Sequence, residues 1–242
     1  MGASSTPLGG KRVVVIGGAS GIGYAVAVAA SDEGARVVVA SSQQVNVEAA
    51  VKRLGGAATG HVVDVGDEAS VAAFFEALGP FDHLVFTAGD WGGGFGAPIR
   101  DLDLAATQAS LKVRFWGPIV VAKYACRTIA PDGSITLTGG MLAHRPMKGA
   151  PMATAIGGAI EHLAQALAVD LAPVRVNAVC PGLVLTERVQ QMPEAMVQMF
   201  TTRLPLPRAA VPAEAAEAYL YLMRGGYTTG QIMRVDGGGS VV

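Results

Sequence analysis

The sequence predicts an α/β fold in which a doubly wound, seven-stranded parallel sheet carries helices on both faces. Three observations lead to this prediction. Short runs that are apolar on both faces alternate with stretches of helical periodicity, as parallel strands and their crossover helices do. A glycine-rich turn joins the first of these runs to the first helix. The irregular segments follow strand ends, where an open parallel sheet places its ligand crevice.

The predicted elements alternate along the whole chain. Strand-like runs cover residues 12–16, 36–40, 60–63, 83–86, 134–138, 175–179 and 231–235. Helical stretches cover residues 21–33, 47–54, 68–78, 104–128, 152–171 and 213–223. Two loops and one long insertion, residues 89–98, 139–151 and 181–212, interrupt the alternation, and we expect all three to border one site.

Length and composition limit the classes of protein that the chain can represent. With 242 residues, 51% of them hydrophobic, we expect a single domain over residues 1–242, of which residues 1–10 form a flexible leader. A net charge of −1 without basic blocks gives no electrostatic footprint for nucleic acid. No apolar run approaches the roughly 18 residues of a membrane span, so no membrane partner is expected. Cys126 and Cys180 are too isolated for a disulfide framework, and we expect both side chains to be buried in the protein core. Cysteines without disulfides also indicate a reducing compartment, so we expect a cytoplasmic protein.

The glycine-rich turn has the character of a phosphate cradle. Gly17, Gly21 and Gly23 follow the apolar run Val13 to Ile16 and open a helix. Glycines there let the backbone approach a pyrophosphate closely, while the N–H groups and the dipole at the helix start attract the anion. A tight turn without a ligand is the alternative. The position after the first strand favours a dinucleotide, because this fold places its nucleotide site there.

Further motifs accompany the turn at the expected places. They are Asp64-Val65 after the third strand, Ala88-Gly89 after the fourth, Asn177, Pro181-Gly182 and Thr186 after the sixth, and Thr229-Gly230 with Asp236-Gly237-Gly238 near the end. With these motifs the chain resembles the short-chain dehydrogenase/reductase family over nearly its whole length. The resemblance implies a Rossmann-like fold and transfer of a hydride between a nicotinamide cofactor and a carbonyl or alcohol. It also implies a homodimer or homotetramer formed through the helices at 104–128 and 152–171, and a substrate lid at 183–212.

The resemblance identifies the residues that would hold the cofactor. They are Gly17, Ser20, Gly21, Ile22, Gly23, Ser41, Ser42, Asp64, Val65, Ala88, Gly89, Pro181, Gly182 and Thr186. Ser41 stands where an NAD-selective site places an acidic side chain that would repel a 2′-phosphate. NADP(H) is therefore the expected cofactor. NAD(H) remains acceptable, because the arginine of strongly NADP-selective relatives is absent at Ser42.

The family's Asn-Ser-Tyr-Lys tetrad is missing. Arg114 stands at the asparagine position, Gly140 at the serine, Ala153 at the tyrosine and Gly157 at the lysine. An alanine cannot donate a proton, and a glycine cannot lower the pKa of a neighbouring tyrosine, so the family's usual mechanism cannot run.

Three residues are candidates for replacement chemistry. The Arg114 guanidinium is expected to cross into the space vacated at Gly157, or else to pair with a carboxylate and support its helix. His144 is a candidate acid/base because histidine is the side chain type that most often takes this role, with a solvated surface histidine as the alternative. Lys148 is a weaker candidate, since a loop lysine is usually only solvated. Asp90 and Trp91 begin a glycine-rich loop that is expected to shape substrate entry, or to serve only as a turn and a packed ring.

Three functions compete at this point. The first is an NADP(H)-dependent oxidoreductase with an altered proton relay, the second a cofactor-binding pseudoenzyme, and the third a non-redox enzyme such as a lyase or cyclase. Four apolar side chains in the lid, Met192, Met196, Met199 and Phe200, favour an apolar or aromatic small-molecule substrate, although ordinary core packing explains them equally well.

Overall fold

The computed structural model of the protein describes residues 6–56, 58–89 and 96–242. It contains a seven-stranded sheet in the order β3-β2-β1-β4-β5-β6-β7, and every pair of neighbouring strands is parallel. The strands are β1 Arg12–Ile16, β2 Arg36–Ser41, β3 Thr59–Val62, β4 Phe81–Phe86, β5 Ile129–Thr138, β6 Arg175–Pro181 and β7 Ile232–Val235. The strand order reverses between β1 and β4, so a ligand crevice opens beyond their carboxyl ends. The predicted fold class and the seven strands are confirmed.

Eight α-helices lie among the described residues. They are α1 Gly21–Asp32, α2 Gln44–Leu54, α3 Glu68–Leu78, α4 Leu104–Leu111, α5 Gly117–Ala125, α6 Pro151–Asp170, α7 Glu194–Thr201 and α8 Pro212–Arg224. Alternate residues of β1 point to opposite faces, which separates the core into two layers. Val14 and Ile16 belong to the cluster that includes residues of α3, α5 and α6, whereas Val13 and Val15 belong to the cluster with α1 and α8.

The segment before β1 is packed from its first described residues. Leu8 is 2% exposed and belongs to the core cluster beneath α1. Its N–H donates to the carbonyl of Glu33 at 3.1 Å. The expected flexible leader therefore does not extend over Leu8, whose side chain has the burial of a core residue; residues 1–5 lie outside the described part.

The single helix predicted over residues 104–128 is interrupted. Between α4 and α5 the chain forms the π-helical segment Lys112–Trp116. Pro118 explains the break, because it has no N–H to donate to the carbonyl of Arg114 four residues earlier. π-Helical segments occur frequently at functional sites, and this one carries Arg114.

Two composition-based expectations need correction. Helix α6 is long and apolar enough to cross a membrane by length and composition, with a mean hydropathy of 1.2 over its best window, although we expected no such stretch. Its packing against β6 and β5 accounts for part of this apolar content. Cys180 is buried as expected, but Cys126 is exposed because it caps the end of α5 on the surface.

Candidate functional site

The glycine-rich turn approaches the loop after β4 too closely for any side chain. A Cβ added to Gly17 would lie 2.5 Å from the amide nitrogen of Ala88, and one added to Gly23 would lie 2.3 Å from the carbonyl oxygen of Gly17. Gly17 and Gly21 also have positive φ angles of 86° and 55°. The turn can therefore be built only with glycine at these positions. Without side chains at these glycines, an anion can approach the backbone at the start of α1 closely, as the predicted phosphate cradle requires.

The cradle is closed from the lid side by two residues that follow β6. The methyl carbon of Thr186 would lie 3.1 Å from a Cβ at Gly21. The carboxylate of Glu187 accepts a hydrogen bond from the Gly21 N–H at 3.0 Å. A negative group thus already interacts with the helix terminus. Sequence analysis missed Glu187, although an acid directly after the predicted cofactor residue Thr186 was a visible signal.

The predicted adenine-side residues follow the carboxyl ends of β2 and β3. Ser41 ends β2, and its carbonyl accepts from the N–H of Val63 at 2.9 Å. Asp64 is exposed and its side chain accepts from the Gly66 N–H at 2.8 Å, whereas Val65 is buried. Ser42 is exposed and follows Ser41 directly after the end of β2.

The motifs after β6 and β7 meet one another. The buried Asn177 side chain donates to the carbonyl of Thr228 at 2.9 Å and accepts from the Gln231 N–H at 3.0 Å. Gly182 is needed because a Cβ there would lie 2.9 Å from the Cα of Asp236. These contacts support the loop that continues through Pro181 and Gly182 to Thr186. They explain why the two sequence motifs occur together.

The space near the missing tetrad is filled differently from our expectation. A Cβ at Gly157 would lie 3.0 Å from the Cβ of Ala143, whose 3-10 turn packs onto α6. Ala153 packs against the core cluster, and no atom of the described residues, other than the two adjacent in the chain, lies within 4 Å of a Cβ at Gly140. The Arg114 guanidinium lies instead against Gly89, where its terminal nitrogen would be 2.8 Å from a Cβ. The atoms nearest a Cβ at Gly157 thus come from Ala143 and Gly140, and the guanidinium of Arg114 is seen at Gly89 instead of in the expected place.

His144 faces inward, toward two buried side chains. Its Nε2 lies 2.7 Å from Oε1 of Glu161 on α6. The same oxygen accepts from the thiol of Cys180 on β6 at 3.0 Å. His144 Nε2 is buried, and His144 is not among the residues that line the cavity described next. This orientation does not suit the predicted acid/base role, which needs a ring nitrogen facing the substrate.

A cavity of about 480 Å³ lies between the loop after β5 and helix α7 of the lid. Its lining residues are Met141, Arg145, Met147, Gln198, Met199, Phe200, Thr202 and Arg203. Met199 and Phe200 thus contribute a cavity wall, and Met196 and Met199 are exposed, so core packing does not explain these two methionines. The wall combines adaptable thioethers with two guanidinium groups, which suits an apolar molecule that carries an anionic group.

A larger cleft of about 760 Å³ lies elsewhere. Ala168, Val174, Arg175 and Tyr227 are among its lining residues, at the amino end of β6. The cradle lies at the carboxyl ends of the strands, so this cleft is remote from the candidate site. Asp90 and Trp91 fall outside the described residues.

Comparison with known proteins agrees with this architecture. The family model described as enoyl-(acyl carrier protein) reductase matches residues 17–240. The short-chain dehydrogenase/reductase ATR9 of Stachybotrys chlorohalonatus is 36% identical over 247 residues, covering 95% of this chain and 96% of the relative.

Two solved structures are similar over almost the whole chain. A small-chain dehydrogenase in complex with NADPH is 34% identical, has a TM-score of 0.83, and is matched over 96% of this chain and 100% of its own. The MalC reductase/Diels-Alderase of Malbranchea aurantiaca is 30% identical, has a TM-score of 0.90, and is matched over 99% of this chain and 100% of its own. The sheet order, the glycine-rich turn and these similarities lead to one conclusion: the chain belongs to the short-chain dehydrogenase/reductase family of oxidoreductases.

Proposed function

We propose that the protein is an NADP(H)-dependent oxidoreductase that acts on a carbonyl or alcohol with a non-standard active site. The observation that carries this proposal is the cradle, in which Gly17, Gly21 and Gly23 occupy positions where a Cβ would meet backbone or lid atoms. A turn without side chains at these positions lets a pyrophosphate approach the backbone N–H groups at the start of α1.

The residues around the cradle fit a nicotinamide dinucleotide. The α1 N-terminus would hold the pyrophosphate, Ser41 and Ser42 the 2′-phosphate, and Thr186 with Pro181-Gly182 the nicotinamide side. The preference for NADP(H) rests on the hydroxyl of Ser41 in place of an acid. The similar NADPH complex supports it. When bound, the cofactor would supply or accept a hydride.

Arg114 is the group that we propose acts on the substrate oxygen. Its guanidinium lies against Gly89, directly after β4 and therefore beside the crevice. Arginine stays protonated and offers several donors in one plane, so it can stabilise negative charge on a carbonyl oxygen during reduction. In this scheme a proton reaches that oxygen from water, because Gly140, Ala153 and Gly157 provide no hydroxyl or ammonium group.

The substrate that suits the cavity is an apolar or aromatic molecule with an anionic group. Met141, Met199 and Phe200 provide apolar lining, and Arg145 and Arg203 line the same cavity. We also propose a homodimer or homotetramer in the cytoplasm. Three exposed apolar side chains on or beside the expected contact helices, Leu104, Trp116 and Val169, support self-association, which light scattering at micromolar concentration tests.

A second candidate function is cyclisation without net redox change. The residues Gly140, Ala153 and Gly157 favour this function because they supply no proton donor. A cycloaddition needs an enclosing apolar cavity and no proton donor. The similarity to a protein described as a reductase/Diels-Alderase gives this candidate its precedent. Under this alternative the nucleotide would shape the cavity without transferring a hydride.

Calorimetric titration with NADPH and NADH, followed by turnover assays with apolar keto acids, tests the proposal. We expect tighter binding of NADPH and nicotinamide oxidation that Arg114→Gln lowers by roughly 100-fold or more, the usual effect of losing one oxyanion donor. Lys148→Gln, which changes an exposed cation outside the cavity, is the control. NADPH binding with no oxidation of any substrate would leave the pseudoenzyme or the cyclase, and product analysis distinguishes these two.

A further inference from the structure

Three metal-ligating side chains of different types converge behind the 3-10 turn Met141–Ala143. His144 follows this turn, Glu161 comes from α6, and Cys180 comes from β6. One imidazole nitrogen, one carboxylate oxygen and one thiol sulfur lie within 4.8 Å of one another. Glu161 and Cys180 are buried, and His144 is partly buried. We call these three residues the His-Glu-Cys cluster.

Hydrogen bonding within the cluster is incomplete. The Cys180 thiol donates to Glu161 Oε1 at 3.0 Å. His144 Nε2 lies 2.7 Å from that oxygen, yet among the residues that the structure describes this buried nitrogen has no partner with hydrogen-bond geometry, so the contact lacks hydrogen-bond alignment. Two potential donor atoms thus converge on a single carboxylate oxygen. A buried carboxylate is costly unless a cation or several hydrogen bonds compensate it.

We propose that the His-Glu-Cys cluster is a site for a divalent zinc ion. Zinc is the divalent cation that combines imidazole, carboxylate and thiolate ligands most readily, at about 2.0–2.1 Å, 2.0–2.2 Å and 2.3 Å respectively. Tetrahedral coordination at those bond lengths separates nitrogen from oxygen by about 3.3 Å and oxygen from sulfur by about 3.6 Å. The observed nitrogen–oxygen separation of 2.7 Å and oxygen–sulfur separation of 3.0 Å are therefore each short by about 0.6 Å. The nitrogen and the sulfur lie within 4.8 Å of each other and would have to stand about 3.6 Å apart, so zinc binding requires the three side chains to adjust around the ion. The fourth position would be taken by water.

The charge balance of the cluster suits this ion. On binding, the Cys180 thiol releases its proton to solvent, and one thiolate and one carboxylate then neutralise the two positive charges.

The site would join the loop that follows β5 to α6 and β6. Met141, on the same 3-10 turn, lines the cavity, so an ion at the cluster would fix one cavity wall. This role is independent of hydride transfer. The zinc site rests on observations other than those for the proposed function, so an experiment can contradict one without contradicting the other.

The first test is metal content and spectroscopy on the full-length protein. Elemental analysis after dialysis against zinc, with a weak chelator present, should give one equivalent per chain. Cobalt substitution should give an intense thiolate-to-cobalt absorption in the near ultraviolet. Absence of both in the unaltered protein overturns the proposal, whatever the oxidoreductase assay shows.

Variants locate the ion. Cys180→Ser should abolish the thiolate band, and Glu161→Gln and His144→Asn should each weaken zinc binding by more than about 100-fold, beyond the loss typical of outer-shell changes. Cys126→Ser, which removes the exposed thiol, is the matched control and should change neither measurement. The buried variants Cys180→Ser and Glu161→Gln could misfold, whereas His144→Asn changes a partly exposed loop residue. Circular dichroism should show that His144→Asn is folded, so its zinc affinity tests the site even if the buried variants misfold. A thiolate band that survives Cys180→Ser, or zinc affinity unchanged in a folded His144→Asn protein, contradicts the assignment.

Discussion

Replacing Glu187 by glutamine should tighten binding of the nicotinamide cofactor. In the structure the Glu187 carboxylate accepts a hydrogen bond from the Gly21 N–H at the start of α1, at 3.0 Å. A pyrophosphate needs the same donors and the same positive end of the helix dipole. The carboxylate must therefore leave before the cofactor is fully bound, and its negative charge stays near the phosphates.

The magnitude follows from two contributions. A hydrogen bond to a charged acceptor contributes about 1 kcal/mol more than a neutral one, so a glutamine is released from Gly21 at lower cost. For an assumed separation of about 8 Å, repulsion between the displaced carboxylate and two phosphate charges adds roughly 1 kcal/mol in water before screening by salt. With screening, the sum of about 1–2 kcal/mol corresponds to a dissociation constant lower by about 5- to 30-fold.

Calorimetric titration of NADPH into the unaltered protein and into Glu187→Gln measures this difference. The gain should shrink at high ionic strength, because part of it is electrostatic. Glu194→Gln is the matched control, since Glu194 is also an exposed lid acid but its carboxylate contacts Gln198 instead of the cradle. Equal or weaker NADPH binding by Glu187→Gln would refute the reasoning.

Three further predictions concern the cofactor preference, the cradle and the core. Ser41→Asp should weaken NADPH binding by at least about tenfold and spare NADH, because it adds the carboxylate that repels a 2′-phosphate; parallel titrations check this. Gly23→Ala should abolish NADPH binding and lower the melting temperature, because the new Cβ would lie 2.3 Å from a backbone oxygen. The control is Gly158→Ala in α6, where no described atom crowds the new Cβ, and this variant should not destabilise the protein. Burial lowers the pKa of His83 to about 4 from 6.5, so the stability that its neutral form contributes is complete above pH 6.5 and is lost as the pH falls toward 4. Denaturant unfolding measures the free energy of unfolding at each pH. Between pH 6.5 and pH 4 this free energy should fall by about 3 kcal/mol less in His83→Gln than in the unaltered protein.

The fold was predictable because its signals are local and repeated. The run Val13 to Ile16 is apolar on both faces, and the buried strands β4 and β6 have the same character, so the alternation with helices was visible along the chain. The glycines were equally informative, since positive φ or a close backbone approach excludes other residues at Gly17 and Gly21. Element boundaries were less predictable. The π-helical segment Lys112–Trp116 depends on a single proline, and its pattern of apolar residues is that of an ordinary helix.

The site beyond the cradle depends on tertiary contacts that spacing does not reveal. The sequence shows what is absent at Gly140, Ala153 and Gly157, but not that Ala143 fills the space at Gly157. The pairing of His144 with Glu161 joins residues 17 apart through the turn of the chain into α6. Glu161 was the one feature of the sequence that indicated this contact, because a buried acid on the inward face of an apolar helix needs a polar or charged partner.

The most direct test of the proposed oxidoreductase follows the transferred hydrogen. The protein is incubated with NADPH that carries deuterium at the transferring carbon and with a panel of apolar ketones that each bear a carboxylate. The products are then examined by mass spectrometry. Proposed hydride transfer predicts an alcohol one mass unit heavier, with deuterium on the carbinol carbon, and at least about 100-fold less of it with Arg114→Gln. The proposed hydride transfer would be contradicted if the bound NADPH keeps its deuterium and the substrate is either recovered unchanged or converted to a cyclised product.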